Sequence, residues 1–176
     1  QSSVSVNGSA SNEDEANGMR VYGGSLFVVG HSSATGGRAH WVARYDTNLV
    51  LIASSTFVQC SAYGFDILPT ASGDVFVAGS RCPNSATSND AWIGKYSSSL
   101  VLLTSATVNG STSNTDQYQR LAEDGSGGVY AVGYLNTATA ADRFIQRYDA
   151  NLVRVSSALI NGPGNSNEYL ADIMVP

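Results

Sequence analysis

The sequence predicts an all-β repeat fold, and three observations carry that prediction. The stretch Trp41-Val42-Ala43-Arg44-Tyr45 returns as Trp92-Ile93-Gly94-Lys95-Tyr96 and again as Phe144-Ile145-Gln146-Arg147-Tyr148, so its tyrosines stand 51 and then 52 residues apart. A fixed period of this size marks stacked supersecondary units. Each copy lies among short runs of alternating polar and apolar residues bounded by Gly, Asn, Asp and Ser, as strands and turns are. No stretch holds a 3.6-residue apolar period over a helix's length. Four short antiparallel strands per unit of about 50 residues is the pattern of a β-propeller blade, and the chain reads as three such blades.

The chain opens with Gln1 to Gly8, which alternates and stops at Asn7-Gly8. The same text recurs as Ala106 to Gly110 and Ala158 to Gly162, each closing a unit, so residues 1–8 read as the last strand, D, of a preceding blade. Blade 1 spans 16–58, blade 2 spans 62–110 and blade 3 spans 117–162. Each begins with a hairpin of strands A and B, turning at Gly23-Gly24, Ser72-Gly73 or Ser126-Gly127 and ending in Gly30, Gly79 or Gly133; glycines in such turns are the common hairpin signal. A polar loop of variable text follows (Ser32 to Arg38, Pro83 to Asn89, Leu135 to Ala141), then the aromatic strand C, a tight connection, and strand D from Leu49, Leu100 or Leu152. Residues 167–176 read as strand A of a fourth blade. Three blades fall short of the about four to eight that close a ring. The expectation is therefore an incomplete ring, a portion of a longer propeller or one completed by another chain.

The third unit carries the most specific text: Leu121-Ala122-Glu123-Asp124-Gly125-Ser126-Gly127-Gly128-Val129-Tyr130-Ala131-Val132-Gly133, then Asp142-Arg143-Phe144-Ile145-Gln146-Arg147-Tyr148-Asp149. It resembles the SBBP β-propeller repeat, whose pattern runs from a turn with Asp and Gly through Val-Tyr-Val-x-Gly to Asp-x-Phe-Val-x-Lys-Tyr-Asp. The second unit matches from Asp74 to Gly79 and from Asp90 to Tyr96; the first departs with a shorter hairpin and with Ala39 in place of Asp90 and Asp142. The resemblance covers nearly the whole chain. It implies a secreted or surface-exposed propeller of bacterial or archaeal type and transfers no catalytic residue.

Composition narrows the functional classes. Nine Lys and Arg against fourteen Asp and Glu give a formal charge of −5, and no basic cluster exists to grip nucleic acid or an anionic membrane surface. No apolar run reaches the about 18 residues of a membrane-spanning helix. The Ser, Thr, Asn and Gly richness, the scarcity of Lys and a first residue other than Met suggest an exported, extracellular or cell-surface protein, or a fragment of one. Asn7-Gly8-Ser9 and Asn109-Gly110-Ser111 have the form of N-glycosylation acceptors.

Candidate residues divide into packing and chemistry. Trp41, Tyr45, Trp92, Tyr96, Phe144 and Tyr148 are expected to fill the gaps between blades, since large aromatics at repeated mid-strand positions are most often core. Arg44, Lys95 and Arg147 beside them are read as stems laid on apolar surface with paired heads. Asp14, Asp90, Asp116, Asp142 and Glu168 are expected on the face built by the D-to-A and B-to-C loops, where they either hold Ca²⁺ with backbone carbonyls or cap their own loops. Cys60 and Cys82, just before strand A and just after strand B of blade 2, are expected to form a disulfide. It would close a loop of about 22 residues and contribute roughly 2 to 4 kcal/mol. Neither His31 nor His40 shares the cysteines' unit, and no nucleophile elbow or phosphate loop is present. The function expected is a non-catalytic extracellular binding or scaffold propeller, in one form a subunit of a surface layer, sheath or appendage, with other chains or further blades as partners. The alternatives are a polysaccharide-acting hydrolase or lyase, or a glycan-binding lectin, working through the loop face.

Overall fold

The computed structural model describes residues 3, 13–59, 61–83, 88–110, 114–137 and 141–160. Among them are twelve strands and no helix, in three four-stranded antiparallel sheets. Sheet 1 is β1 (Glu15–Tyr22), β2 (Ser25–Ala34), β3 (Gly37–Tyr45) and β4 (Leu51–Gln59). Sheet 2 is β5 (Ala62–Pro69), β6 (Val75–Arg81), β7 (Asp90–Tyr96) and β8 (Leu102–Val108). Sheet 3 is β9 (Gln117–Glu123), β10 (Val129–Asn136), β11 (Ala141–Tyr148) and β12 (Arg154–Ile160). In each sheet the spatial order follows the chain. The strands expected at 1–8 and 167–176 lie outside the described residues.

Turn chemistry sets these elements. Gly23 and Gly24, with φ of 54° and 70°, form the two-residue turn between β1 and β2, where positive φ at both positions matches the twist of the flanking strands. In the third-to-fourth strand turns, Asp46 accepts the backbone N–H groups of Asn48 and Val50 at 2.8 Å each, and Asp149 does the same for Asn151 and Val153. Each of these turns ends on a leucine in the left-handed region, Leu49, Leu100 and Leu152, with φ of 63°, 61° and 59°. That conformation costs a non-glycine residue about 1 to 2 kcal/mol. It is offset where Leu100 and Leu152 are buried between sheets. The stretch Ser32 to Arg38, expected as a loop, is mostly strand: β2 pairs with β3 out to Ala34 opposite Gly37, leaving Thr35 and Gly36 as the turn.

One feature recurs on β1, β5 and β9, the first strand of each sheet, called inner because they neighbour one another. The register of β1, β5 and β9 slips by one residue opposite Gly30, Gly79 and Gly133, at Asn17, Phe65 and Gln119. At each bulge the inner strand comes so close that a Cβ on the glycine would run into the carbonyl oxygen of Glu15, Tyr63 or Gln117. The repeated glycine therefore serves close backbone approach beside a bulge.

Side-chain alternation then makes the core. Phe27, Val29 and Val42 of sheet 1 meet Ile67, Val77, Trp92 and Tyr96 of sheet 2. Phe76, Ala78 and Ile93 on the other face of sheet 2 meet Tyr118, Ala131, Phe144 and Tyr148 of sheet 3. Trp41, Ala43 and Tyr45 cluster with Leu26 and Val28 on the face of sheet 1 turned from sheet 2. The basic residues beside the aromatics are paired. Arg44 lies over Phe27 and donates to Ser25 Oγ and the Ser98 carbonyl; Lys95 meets Asp74 at 2.9 Å and donates to the Ala150 carbonyl; Arg147 meets Asp124 at 2.8 Å. Burial alone would raise the Asp124 carboxyl, but the Ser126 and Gly128 N–H groups, the Ser126 hydroxyl and Arg147 hold it down at about 2.

His40 sits between sheets 1 and 2, 1% exposed, stacked on Phe57 and tilted against Trp92, with Nε2 2.8 Å from the Tyr96 hydroxyl and Nδ1 without a partner. Burial, reinforced by the charge of Arg81, lowers its pKa to about 4 from an ordinary 6.5. As pH falls through 6.5 the unfolded chain takes up a proton that the folded chain refuses until near 4, so this contribution is present above 6.5 and lost between 6.5 and 4. Between pH 7 and pH 5 it amounts to about 2 kcal/mol. Burial raises the carboxyls of Asp66, Asp90 and Asp116, which act in the opposite sense. Comparing urea midpoints of the native chain and His40→Gln across this range isolates the histidine. The variant is expected to show a shallower acid-side decline, the rest of which includes His31, whose pKa burial also lowers, and identical pH slopes would refute the assignment.

Candidate functional site

At the end of the sheets where β1, β5 and β9 begin, a cleft of ≈ 530 Å³ opens across all three. Sheet 1 supplies Glu15, His31 and Arg38; sheet 2 supplies Ser61, Tyr63, Phe65, Ser80 and Asn89; Thr115 and Gln117 close the side toward sheet 3. The inner strands place the key positions equivalently. Glu15 pairs with His31, Tyr63 with Ser80 and Gln117 with Tyr134, each pair one step beyond the repeat glycine. The chain thus presents the same two backbone positions on each sheet with different chemistry.

His31 is the centre of the sheet 1 side. It is 3% exposed, and its ring meets Tyr63 edge-on at 4.8 Å. Its Nδ1 lies 3.2 Å from Asn17 Nδ2, whose amide also donates to the Gly64 carbonyl at 2.9 Å. Its Nε2 lies 3.1 Å from Arg38 Nη1 and 4.0 Å from Glu15 Oε2. Arg38 also lies over the Tyr63 ring and donates to Glu13 at 3.3 Å. Burial lowers the His31 pKa; Glu15 opposes that and Arg38 adds to it, so the imidazole is neutral at pH 7. Tyr63 and Phe65 stand 6.0 Å apart with ring planes 2° from parallel, forming an aromatic wall.

The acids expected on this face are placed around the cleft rather than in it; none of Asp14, Asp90, Asp116 or Asp142 lines it. Asp14 accepts the Ser33 N–H at 3.0 Å. Asp116, fully buried, accepts the Asn136 N–H at 2.6 Å and the Gly110 N–H at 2.5 Å, while its own N–H donates to the Asn89 carbonyl. Ser33 and Asn136 each stand three residues past the repeat glycine, so the two carboxylates make the same clamp in sheets 1 and 3. Burial raises the Asp116 carboxyl, the two N–H groups oppose this, and neighbouring Asp90 adds to the rise. Asp90 and Asp142 are buried at the starts of β7 and β11, opposite Arg81 and Leu135. Glu168 lies outside the described residues. No group of three or more His, Cys, Asp or Glu that could hold a metal gathers among the described residues.

Sheet 2 has Ala62 where the others carry Asp14 and Asp116, and Cys82 where they carry Ser33 and Asn136. There the Cys82 N–H donates to the Ser61 carbonyl at 2.8 Å, a backbone contact in place of the carboxylate clamp. Cys60, the expected partner of Cys82, lies outside the described residues.

The sequence points to the loops, Arg38 among them, and does not bring His31, Arg38, Tyr63 and Phe65 together as one group. The available signal is the position after each repeat glycine: a strand position occupied by His31, Ser80 and Tyr134 varies too much to be simple packing. No family model and no curated protein matches the chain.

If Asp116 is a clamp, Asp116→Ala strands two backbone N–H groups and should cost about 3 kcal/mol in a urea titration. Glu15→Ala, an exposed cleft carboxylate, should change stability by less than about 0.5 kcal/mol. Equal effects of the two would remove the clamp role.

Proposed function

We propose that the chain is part of an SBBP-type β-propeller that acts outside the cell as a non-catalytic binding and scaffold module, its ligand-facing side being the cleft where the inner strands begin. One observation carries this reading: Asp14 and Asp116 are spent on loop backbone. A glycosidase needs two carboxyls about 5 to 10 Å apart and free to exchange protons or attack. The chemistry of the cleft comes instead from residues that differ between repeats, as in scaffolds that present recognition groups on a rigid frame.

The scaffold side of the proposal is supported by the outer strands. β4, β8 and β12 are sheet edges, and each begins with exposed apolar residues: Val50, Leu51 and Ile52; Val101, Leu102 and Leu103; Val153 and Val155. β4 and β8 carry no charged residue and β12 only Arg154, and edges so lightly charged invite strand addition by neighbouring chains. A Cys60–Cys82 disulfide belongs to the same reading. It is supported by the burial of Cys82, its backbone bond to Ser61 and the absence of a free thiol among the described residues. Oxidised cysteines of this kind fit an extracytoplasmic compartment.

Two measurements test the proposal. Incubation with a panel of plant, fungal and bacterial polysaccharides should release no reducing ends; release abolished by Glu15→Gln would make the cleft catalytic and overturn the reading. Thiol labelling of the denatured, unreduced protein should find no reactive cysteine, whereas two would remove the disulfide and its support for export.

A further inference from the structure

We infer that the cleft recognises a neutral saccharide, with one sugar hydroxyl seated between His31 Nε2 and Arg38. This rests on the reading of the cleft as a binding site and adds the class of ligand.

Asn17 Nδ2 donates to the Gly64 carbonyl and faces His31 Nδ1. Turning the amide over would set its oxygen against that carbonyl, so the nitrogen stays where it is, and the tautomer in which Asn17 keeps both bonds has Nδ1 accepting. A neutral imidazole has one acceptor and one donor nitrogen; Nε2 therefore carries the proton. Yet Nε2 faces Arg38 Nη1 at 3.1 Å, and a guanidinium only donates. Two N–H donors thus converge at the cleft wall, one from a ring that is 3% exposed. The nearest internal acceptor, Glu15 Oε2, is 4.0 Å from Nε2, beyond hydrogen-bond length. An unpaired buried donor is costly, so the point is built for an incoming oxygen.

The surroundings choose which oxygen. A carboxylate or sulfate would accept from both donors, but Glu13, already bonded to Arg38, and Glu15 stand at the same rim, and like charges at such range disfavour one another. A hydroxyl meets every demand. It accepts from Nε2–H and Arg38 and gives its own proton to Glu15. A water molecule fits the same point in the free protein. A sugar adds an apolar ring face for the Tyr63 and Phe65 wall and further hydroxyls for Gln117, matching a cleft with an aromatic lining and a few convergent polar groups.

An array displaying neutral and acidic oligosaccharides tests this with the native chain, Arg38→Met and Tyr63→Ala. Neutral glycans are expected to be retained and uronate-bearing ones not, with retention weakened about tenfold or more in each variant, the loss of one charge-assisted bond or one aromatic contact. Arg38→Met keeps the apolar stem at a partly exposed position, so it should fold even if Tyr63→Ala does not. Nitrogen-15 spectra of the free protein should show His31 protonated at Nε2 and not at Nδ1, with the Nε2 signal shifting when the retained glycan is added. The inference is overturned if no neutral glycan is retained, if acidic glycans are preferred, if Arg38→Met binds unchanged, or if Nδ1 carries the proton. Those results leave the non-catalytic reading standing; cleavage of a retained glycan would end that reading and leave this one.

Discussion

A single buried carboxylate joins the three sheets. Asp66, 2% exposed on β5 of sheet 2, meets Arg20 of sheet 1 at 3.3 Å and accepts the Leu121 N–H of sheet 3 at 2.9 Å. Burial pushes its carboxyl up, and the Leu121 N–H, Arg20 and the Ile67 N–H pull it back. Such a group is stabilising only while its partners stay in place, because removing one leaves a charge or a donor stranded in low dielectric. The inner strands are therefore held at a defined spacing by a polar contact, while the apolar layers on either side of sheet 2 supply the bulk of the burial. The cleft is a consequence: β1, β5 and β9 line it, and their separation sets the distance between Glu15, Tyr63 and Gln117.

The bulges belong to the same constraint. Each shifts the inner strand by one residue beside its glycine, which turns Asn17, Phe65 and Gln119 out of the regular alternation. In sheet 1 the displaced residue is Asn17, which reaches across to the Gly64 carbonyl and faces His31 Nδ1 at 3.2 Å on the way. In sheet 2 it is Phe65, which becomes half of the aromatic wall. In sheet 3 it is Gln119, whose Oε1 accepts from Arg143. One backbone irregularity, repeated three times, thus yields a polar brace, an aromatic surface and an arginine anchor, according to the side chain that occupies it.

The strands were legible in the sequence because the period writes them three times, and the aromatic third strand marked them. Of its six large aromatics, Trp92, Tyr96, Phe144 and Tyr148 line the two gaps between sheets, while Trp41 and Tyr45 pack on the face of sheet 1 turned from sheet 2. The left-handed leucines were not, since leucine at positive φ runs against local preference and is stabilised only by a gap that tertiary packing creates. The extension of β2 and β3 through Ser32 to Arg38 was missed because polar, Gly-containing text reads as loop when no apolar face needs covering. The cleft was hidden for a different reason. His31 and Tyr63 lie 32 residues apart on different sheets, and their meeting depends on the spacing between those sheets, which no local pattern encodes.

Repetition separates what this chain must keep from what it can vary. The glycine beside the bulge answers a close approach that every unit makes alike, and the third-strand aromatics and the left-handed leucine of sheets 2 and 3 fill the gaps between sheets. The clamp between the start of the first strand and the end of the second is a demand met in two ways, by carboxylate in sheets 1 and 3 and by the Ser61 to Cys82 backbone bond in sheet 2. Positions with no shared demand carry the divergent chemistry, and they converge because equivalent residues of neighbouring units come together where their inner strands begin. A stack of like units therefore brings unlike side chains to one place without any unit being a site alone. His31 needs Asn17 from its own sheet, Gly64 and Tyr63 from the next, and an acceptor from neither, so the unmet donor at Nε2 is a property of the stack and appears only where two units meet.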